Sequence, residues 1–226
     1  MQDSVPVITI DGPSGTGKGT VAHMLASHLG WHILDSGALY RIVAVGAQEQ
    51  GISVQDTDRL CAFAEGMQVS FSSAFEGSIH LNGKEISAVV RMEKSGDMAS
   101  VIATQPPLRK ALLQRQHDFR QPPGLVADGR DMGTVVFPDA ILKFFLTASA
   151  EVRAERRYKQ LKNKGVNVNL AFLLKDIKSR DDRDSSRLVA PLVPARDAVI
   201  VDTTSLDVSA VFSELLREMQ KSPHVI

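Results

Sequence analysis

Apolar and polar residues follow one another along this chain in two patterns, short apolar runs and apolar positions at helical spacing. Short runs rich in β-branched and apolar residues predict buried strands at residues 5–11, 31–34, 125–128, 141–146 and 198–202. Apolar residues at helical spacing predict helices between these strands. Strands separated by helices pair in parallel and carry helices on both faces of the sheet. The pattern therefore predicts one α/β domain with a central parallel sheet of about five strands.

Residues 67–119 depart from this alternation of strand and helix. Strict alternation of apolar and polar residues at 67–73 and 77–87, split by Asn82-Gly83, predicts antiparallel strands and a tight turn. We therefore expect a small antiparallel β patch inserted between two α/β units. Helical patterns follow over residues 87–119 and are divided at Pro106-Pro107, because proline suits the first turn of a helix and not its interior.

A glycine-rich turn lies between the first strand and the helix predicted over residues 19–29. Gly12, Gly17 and Lys18 fit the phosphate-binding spacing Gly-x4-Gly-Lys, with Gly19 in the usual place of Ser or Thr and the hydroxyl one residue later, at Thr20. Glycines let backbone N–H groups surround a phosphate, and the helix N-terminus adds its positive dipole end. We expect a nucleotide to contact the whole stretch, that is Gly12, Pro13, Ser14, Gly15, Thr16, Gly17, Lys18, Gly19 and Thr20.

Composition narrows the setting of this site. The 226 residues carry a formal net charge of zero, so nothing in the overall balance suggests a nucleic-acid polymer or a membrane as partner. The single cysteine, Cys61, has no partner for an internal disulfide, as is usual in a reducing compartment. The first residues lack the pattern of a signal peptide, and no apolar run is long enough to span a bilayer. We expect a cytoplasmic monomer.

A phosphate loop alone does not distinguish a kinase from a GTPase or a motor ATPase. The guanine-reading pattern Asn-Lys-x-Asp has one near match, at residues 163–166, and it lacks the aspartate. Arginines instead concentrate between Arg153 and Arg187, on two predicted helices, 150–164 and 169–182. Phosphoryl transfer between two phosphorylated substrates needs several fixed guanidiniums to offset their repulsion. The arginines therefore favour a kinase.

Three further motifs make the chain resemble a known family. They are DSGALYR at 35–41, ADGRDMGTVVFPDA at 127–140 and SRDDRDSSRLVAPL at 179–192. Together with the loop GPSGTGKGT and the inserted β patch, they resemble the bacterial cytidylate kinases, nucleoside monophosphate kinases with a P-loop kinase fold. The resemblance implies reversible transfer of the γ-phosphoryl group of ATP to CMP or dCMP, with Mg²⁺. It also implies a core of residues 1–35, 120–150 and 188–226, a nucleoside-monophosphate-binding region, 36–119, and a lid, 151–187.

The resemblance also implies which residues contact the acceptor nucleotide. Ser36 and Arg41 lie at a helix start, where a hydroxyl and a guanidinium suit the acceptor phosphate. Without the resemblance, Ser36 has a helix cap as its alternative, which does not exclude phosphate binding, Arg41 is equally well a solvated side chain, and Ser100 is read as a surface serine. The full set of acceptor contacts is Ser36, Arg41, Ser100, Arg109, Arg130, Asp131, Asp184 and Arg187, with Ser100 and Arg109 on cytosine.

The remaining assignments concern the transferred phosphoryl group. We expect Lys18, Arg130, Arg157, Arg180 and Arg187 to be catalytic cations. Arg153 and Arg183 are assigned to solvated ion pairs with the nearby carboxylates. Thr20 and Asp128 are the candidate Mg²⁺ residues, with contacts through water included, and a salt bridge or a loop cap is the alternative for Asp128.

Two rival functions stay open at this point. One is another small-substrate P-loop kinase, acting on UMP, AMP, dTMP or shikimate. The other is a non-catalytic nucleotide-gated module, which would not need the acceptor-side arginines Arg41, Arg109 and Arg130.

Overall fold

The computed structural model describes residues 5–71 and 77–222 of the chain. It forms two compact units. The first unit combines Met1–Leu34 with Phe119–Ile226, and the second unit is Asp35–Asp118.

The described ranges contain strands, α-helices and one π-helical turn, in the following chain order. The strands are β1 (Val7–Asp11), β2 (His32–Asp35), β3 (Val69–Phe71), β4 (Ile79–Leu81), β5 (Lys84–Glu85), β6 (Leu125–Gly129), β7 (Leu142–Thr147) and β8 (Val199–Asp202). The helices are α1 (Lys18–Leu29), α2 (Ser36–Glu49), α3 (Thr57–Gly66), α4 (Ser87–Val90), α5 (Glu93–Ile102), α6 (Pro106–His117), α7 (Ala150–Asn163), α8 (Leu170–Ser185) and α9 (Val208–Lys221), and the π-helical turn is Met132–Val136.

The large sheet has five strands in the order β2-β6-β1-β7-β8. Strand β1 is central and parallel to both neighbours, with Ile10 beside Asp128 on β6 and Phe144 on β7. Every residue of β1 is buried, as expected for a strand covered on both faces. The predicted parallel sheet of about five strands is confirmed. Because parallel strands end at one edge, Asp11, Gly129 and Thr147 lie along the same border of the sheet.

The core of the first unit lies between this sheet and two helices. Val21 and Leu25 of α1 pack in one apolar cluster with Ile8 and Phe144 of the sheet, and α9 adds Leu215. The helix α1 ends at Gly30, which has φ 66° and donates its N–H to the last carbonyls of the helix. Gly30 therefore is the predicted C-cap.

The second unit contains the antiparallel patch, with strand order β3-β4-β5. Asn82 and Gly83 join β4 to β5 with φ 50° and 82°, the positive pair that a type I′ turn requires. The predicted hairpin is thus confirmed, although residues 72 and 73 of its first segment lie outside the described residues. The helix α6 begins at Pro106, as the Pro-Pro pair predicts.

Some boundaries differ from the sequence predictions because tertiary contacts and caps decide them. The helix α2 begins at Ser36 because Asp35 accepts the Ala38 N–H, so the cap is Asp35 and not Ser36. The π-helical turn Met132–Val136 follows β6 and has no counterpart among the predicted elements. The carbonyl of Asp131 accepts the Val136 N–H at 3.1 Å, the hydrogen bond across five residues that defines a π-helical turn.

No helix in the described ranges is long and apolar enough to cross a membrane.

We expect Gly46→Ala to destabilise the second unit. A Cβ at position 46 would lie 2.2 Å from Cζ of Phe63 and 2.9 Å from Cδ2 of Leu81, inside a packed core. Such overpacking costs about 1–3 kcal/mol and should lower the melting temperature by several degrees in thermal denaturation. Gly66→Ala is the matched control, since its Cβ meets no atom within 4 Å, and it should leave the melting temperature unchanged or slightly raised. Equal losses in both variants would contradict this packing.

Candidate active site

The glycine-rich loop adopts a backbone that only glycine tolerates. Gly12, Gly15 and Gly17 have φ 141°, 82° and 94°. A Cβ on Gly12 would lie 2.0 Å from the carbonyl oxygen of Leu146, so β7 leaves no room for a side chain. Gly17 caps α1, whose first-turn N–H groups have no partner within the helix. The loop and the helix start thus offer several N–H donors to an anion.

Lys18 is buried at the start of α1, with 5% of its surface exposed. Its Nζ donates to the Pro13 carbonyl at 2.8 Å, across the loop. Burial, and after it the charges of Arg130 and Arg180, lower the pKa of Lys18 to about 7 against the opposing effect of the carboxylates of Asp128 and Asp11. A phosphate beside Lys18 would restore its full charge, which is the property needed in a phosphate site.

The carboxylate of Asp184 holds two of the predicted catalytic arginines. Its Oδ2 accepts from Nε of Arg130 at 2.9 Å, and its Oδ1 pairs with Nη2 of Arg187. Burial raises the pKa of Asp184, but Arg130 and Arg187 outweigh it and hold the pKa below its ordinary value. Burial likewise opposes the charge of Arg130, and Asp184 keeps the pKa of Arg130 above its ordinary value. The three charges therefore form one buried network.

Asp11 at the end of β1 fastens the segment that follows Arg130. Its two oxygens accept the backbone N–H groups of Met132 at 2.9 Å and of Gly133 at 2.8 Å. Burial is the largest effect on this carboxyl and raises its pKa to about 6; the two N–H donors and Lys18 oppose it, and Asp131 adds to it. Asp131 itself is buried, with 4% exposure. Asp11 thus caps the π-helical turn from another strand.

Asp128 is the carboxylate predicted to bind Mg²⁺. It is the last but one residue of β6 and lies beside the start of α1, where a Cβ on Gly19 would lie 3.3 Å from Oδ2 of Asp128. A side chain at position 19 would therefore lie close to this carboxylate. Among residues 5–71 and 77–222, no three His, Cys, Asp or Glu side chains converge on one metal position. One carboxylate with Thr20, which is half-buried, still fits Mg²⁺, because Mg²⁺ is held largely by substrate phosphates and water.

The other predicted arginines lie on α7 and α8. Arg157 is half-buried, and its Nη1 donates to Oε1 of Gln160. Arg180 lies close enough to Lys18 and Asp184 to affect the pKa of both. Arg183 is half-buried and donates to the Ser179 carbonyl within its own helix. The solvated ion pair expected of Arg153 is wrong in one respect, because its pair with Asp181 is present but buried.

The second unit contains the remaining predicted residues. Most of them are more buried than a solvated or surface side chain would be. Ser36 is buried and donates to Oε1 of Gln116 at 2.8 Å, and Arg41 is half-buried and donates to the Val90 carbonyl at 3.1 Å. Arg109 lies 5.9 Å from the ring centroid of Tyr40. Ser100 has 3% exposure, so it is not a surface serine, and its buried Oγ has no hydrogen-bond partner among the residues that the structure describes.

Sequence reasoning missed two residues of the site, Asp11 and Arg153. Asp11 ends a buried strand. Its position in the sequence could have indicated a role, because a buried carboxylate needs hydrogen-bond donors around it. Arg153 gave no such signal, because an arginine on a polar helix face is usually solvated.

Comparison with known proteins agrees with this geometry. A family model described as cytidylate kinase matches residues 8–221. The cytidylate kinase of Stutzerimonas stutzeri is 56% identical over 222 residues, covering 97% of each chain, and that of Colwellia psychrerythraea is 52% identical over 218 residues, covering 96% of each.

The chain belongs to the cytidylate kinase family. This membership confirms the resemblance stated from the motifs and makes the chain a nucleoside monophosphate kinase, with ATP as the donor. Among solved structures, a gluconokinase from Sinorhizobium meliloti 1021 aligns at 18% identity with a TM-score of 0.45, covering 97% of this chain and 98% of that chain. That likeness indicates neither activity nor substrate.

We expect the protein to take up a proton at Lys18 when ATP binds. With a pKa of about 7, Lys18 is mostly neutral in the free protein at pH 8, and bound phosphates favour its charged form. Because the phosphates are already ionised at that pH, calorimetric titration with ATP in buffers of different ionisation enthalpy should show uptake approaching one proton. The affinity should fall as pH rises above about 7. Lys18→Arg, which stays charged, should abolish the uptake, and wild-type binding without proton exchange would refute the assignment.

Proposed function

We propose that the protein transfers the γ-phosphoryl group of ATP directly, in line, to CMP and dCMP, giving CDP and dCDP. The observation that carries this proposal is the cation cluster beside the glycine loop, formed by buried Lys18 and the half-buried Arg130, Arg180 and Arg187. Such a cluster is unfavourable without an anion and suits two phosphorylated nucleotides that meet end to end. The relatives that match nearly the whole chain are named cytidylate kinases.

On the donor side, residues 12–20 bind the ATP phosphates. The N–H groups of the loop and of the α1 start contact the phosphate oxygens, and Lys18 contacts the outer phosphates. Thr20 and Asp128 would hold Mg²⁺, directly or through water, and the ion would supply positive charge against the ATP phosphates. Arg157 and Arg180 add charge to the transferring group.

On the acceptor side, a second set of residues holds CMP. Arg130 and Arg187 exchange part of their contact with Asp184 for the acceptor phosphate, and Asp184 binds the ribose. Asp131 faces the base or orients Arg130. In the second unit, Ser36 and Arg41 contact the acceptor phosphate, while Ser100 and Arg109 contact cytosine. The buried, unpartnered hydroxyl of Ser100 supports its role, because a buried donor needs an acceptor.

The reaction needs position and charge more than a general base. The acceptor phosphate is an anion already, so alignment with the γ-phosphoryl group suffices. Water is the competing acceptor, and residues 151–187, the proposed lid, exclude it when α7 and α8 close over the phosphates. Residues 36–119 form the proposed acceptor-binding region, and the remainder forms the core.

Turnover should depend on the acceptor base. A coupled assay of ADP formation with ATP and Mg²⁺ should give fast turnover with CMP and dCMP, slow turnover with AMP, UMP and dTMP, and almost none with water alone. Higher turnover with another monophosphate or with shikimate would assign a different substrate. ADP release at the same rate without acceptor would overturn the transferase proposal altogether.

Asp128→Asn should raise the Mg²⁺ concentration needed for half-maximal activity. Removing one charged metal contact weakens metal affinity about 10- to 100-fold, so saturating Mg²⁺ should restore much of the rate. Asp202→Asn is the matched control, because Asp202 ends β8 at the same sheet edge but is exposed and bonded to Thr204. An unchanged Mg²⁺ requirement in Asp128→Asn would reduce Asp128 to a counter-charge for Lys18.

A further inference from the structure

The helix α7 supports the phosphate loop from its outer side. The guanidinium of Arg153 donates from Nη1 to the Ser14 carbonyl at 3.1 Å and from Nε to the Ala148 carbonyl at 3.0 Å. The same guanidinium makes a two-pronged pair with Asp181 on α8, with Nη1 to Oδ1 at 3.0 Å and Nη2 to Oδ2 at 2.5 Å. Only 4% of Arg153 is exposed.

The loop also rests on the stem of Arg153. A Cβ on Gly15 would lie 3.0 Å from Cβ of Arg153, so Gly15 brings the loop backbone against this side chain. Gly15 and the Ser14 carbonyl thus both contact Arg153.

Holding the Ser14 carbonyl has a consequence for the inner side of the loop. In a trans peptide the C=O and the next N–H point in opposite directions. Anchoring the Ser14 oxygen on α7 therefore turns the Gly15 N–H away from α7. A second anchor acts in the same way two peptides later, where Thr203 Oγ1 donates to the Thr16 carbonyl at 3.3 Å. Arg156 holds Thr203 through Oγ1 at 3.1 Å.

Asp181 connects this anchor to the catalytic arginines of α8. Asp181 and Asp184 are three residues apart, so they share one face of the helix. Asp181 pairs with Arg153 under the loop, and Asp184 pairs with Arg130 and Arg187. The position of α8, which also carries Arg180, is thereby tied to the position of the loop.

We propose that Arg153 is a positioning residue that fixes the phosphate loop for the donor nucleotide and links it, through Asp181, to α8. The proposal rests on the proposed function only in that the loop binds the ATP phosphates. Arg153 acts on these phosphates through the loop backbone, since its hydrogen bonds go to the carbonyls of Ser14 and Ala148 and to Asp181. Its loss should therefore affect ATP more than CMP.

The test is the separation of KM for ATP, KM for CMP and kcat in Arg153→Lys and Asp181→Asn. A lysine keeps the charge but cannot reach two carbonyls and both carboxylate oxygens at once. We expect Arg153→Lys to raise KM for ATP about tenfold or more, as for one lost hydrogen bond from a charged donor, with KM for CMP changed less than threefold. Asp181→Asn leaves the Ser14 contact in place and should raise KM for ATP by a smaller factor.

Two controls keep the proposal falsifiable. Arg217→Lys repeats the substitution at an exposed arginine that pairs with Glu214, and it should change neither KM. Hydrogen exchange of the amides of residues 12–17 in the folded protein should be faster in Arg153→Lys and Asp181→Asn, which tests the anchor even where Arg153→Lys loses stability. Wild-type protein that fails to use ATP would refute the proposed function. Normal wild-type turnover with unchanged KM for ATP and unchanged exchange in both variants would refute the positioning role alone.

Discussion

The whole site depends on keeping like charges close together in a buried place. Burial lowers the pKa of Lys18 to about 7 and raises the pKa of Asp11 to about 6, so near neutral pH Lys18 is only partly charged while Asp11 is mostly ionised, and each buried charge costs the fold stability. Arg130 adds a further positive charge beside Lys18. Carboxylates reduce the repulsion, chiefly Asp184 for the guanidiniums and Asp128 for the lysine. Because the fold holds these charges in place before an anion binds, the site is preorganised for anion binding.

The charges can be held because rigid backbone surrounds them. Strand β1 lies between two parallel partners, so the residues at its carboxyl end have little freedom. The loop that follows is fixed from inside by Lys18, which donates to Pro13, and from outside by Arg153, which donates to Ser14. Asp11 extends the same rigidity to the turn after Arg130. Each of these contacts joins a charged side chain to a backbone group, which orients the peptide as well as the charge.

The arginines of α7, of α8 and of the residues just after α8 are of two kinds, those that support the phosphate loop and those that can contact a phosphate. Arg153 and Arg156 donate their hydrogen bonds to carbonyl, hydroxyl and carboxylate oxygens around the loop. Arg187 pairs with a carboxylate that a phosphate can partly replace. Spacing along a helix places Arg153, Arg156 and Arg157 on one face, but it does not tell a support from a phosphate contact. What a guanidinium meets across the fold makes that distinction.

Local chemistry was enough for the sequence to determine the sheet, the phosphate loop, the Asn82-Gly83 turn and the family. Each depends on residues close together in the chain, where periodicity, glycine conformation and motif spacing act directly. Only the tertiary structure decided that Asp11 caps the turn after Arg130, that Ser100 is buried and that Arg153 supports the loop. These facts depend on contacts between residues far apart in sequence, 122 positions for Asp11 and Gly133 and 139 for Ser14 and Arg153. A side chain's burial and partners arise from packing, and a one-dimensional pattern carries no record of which distant oxygen a guanidinium will meet.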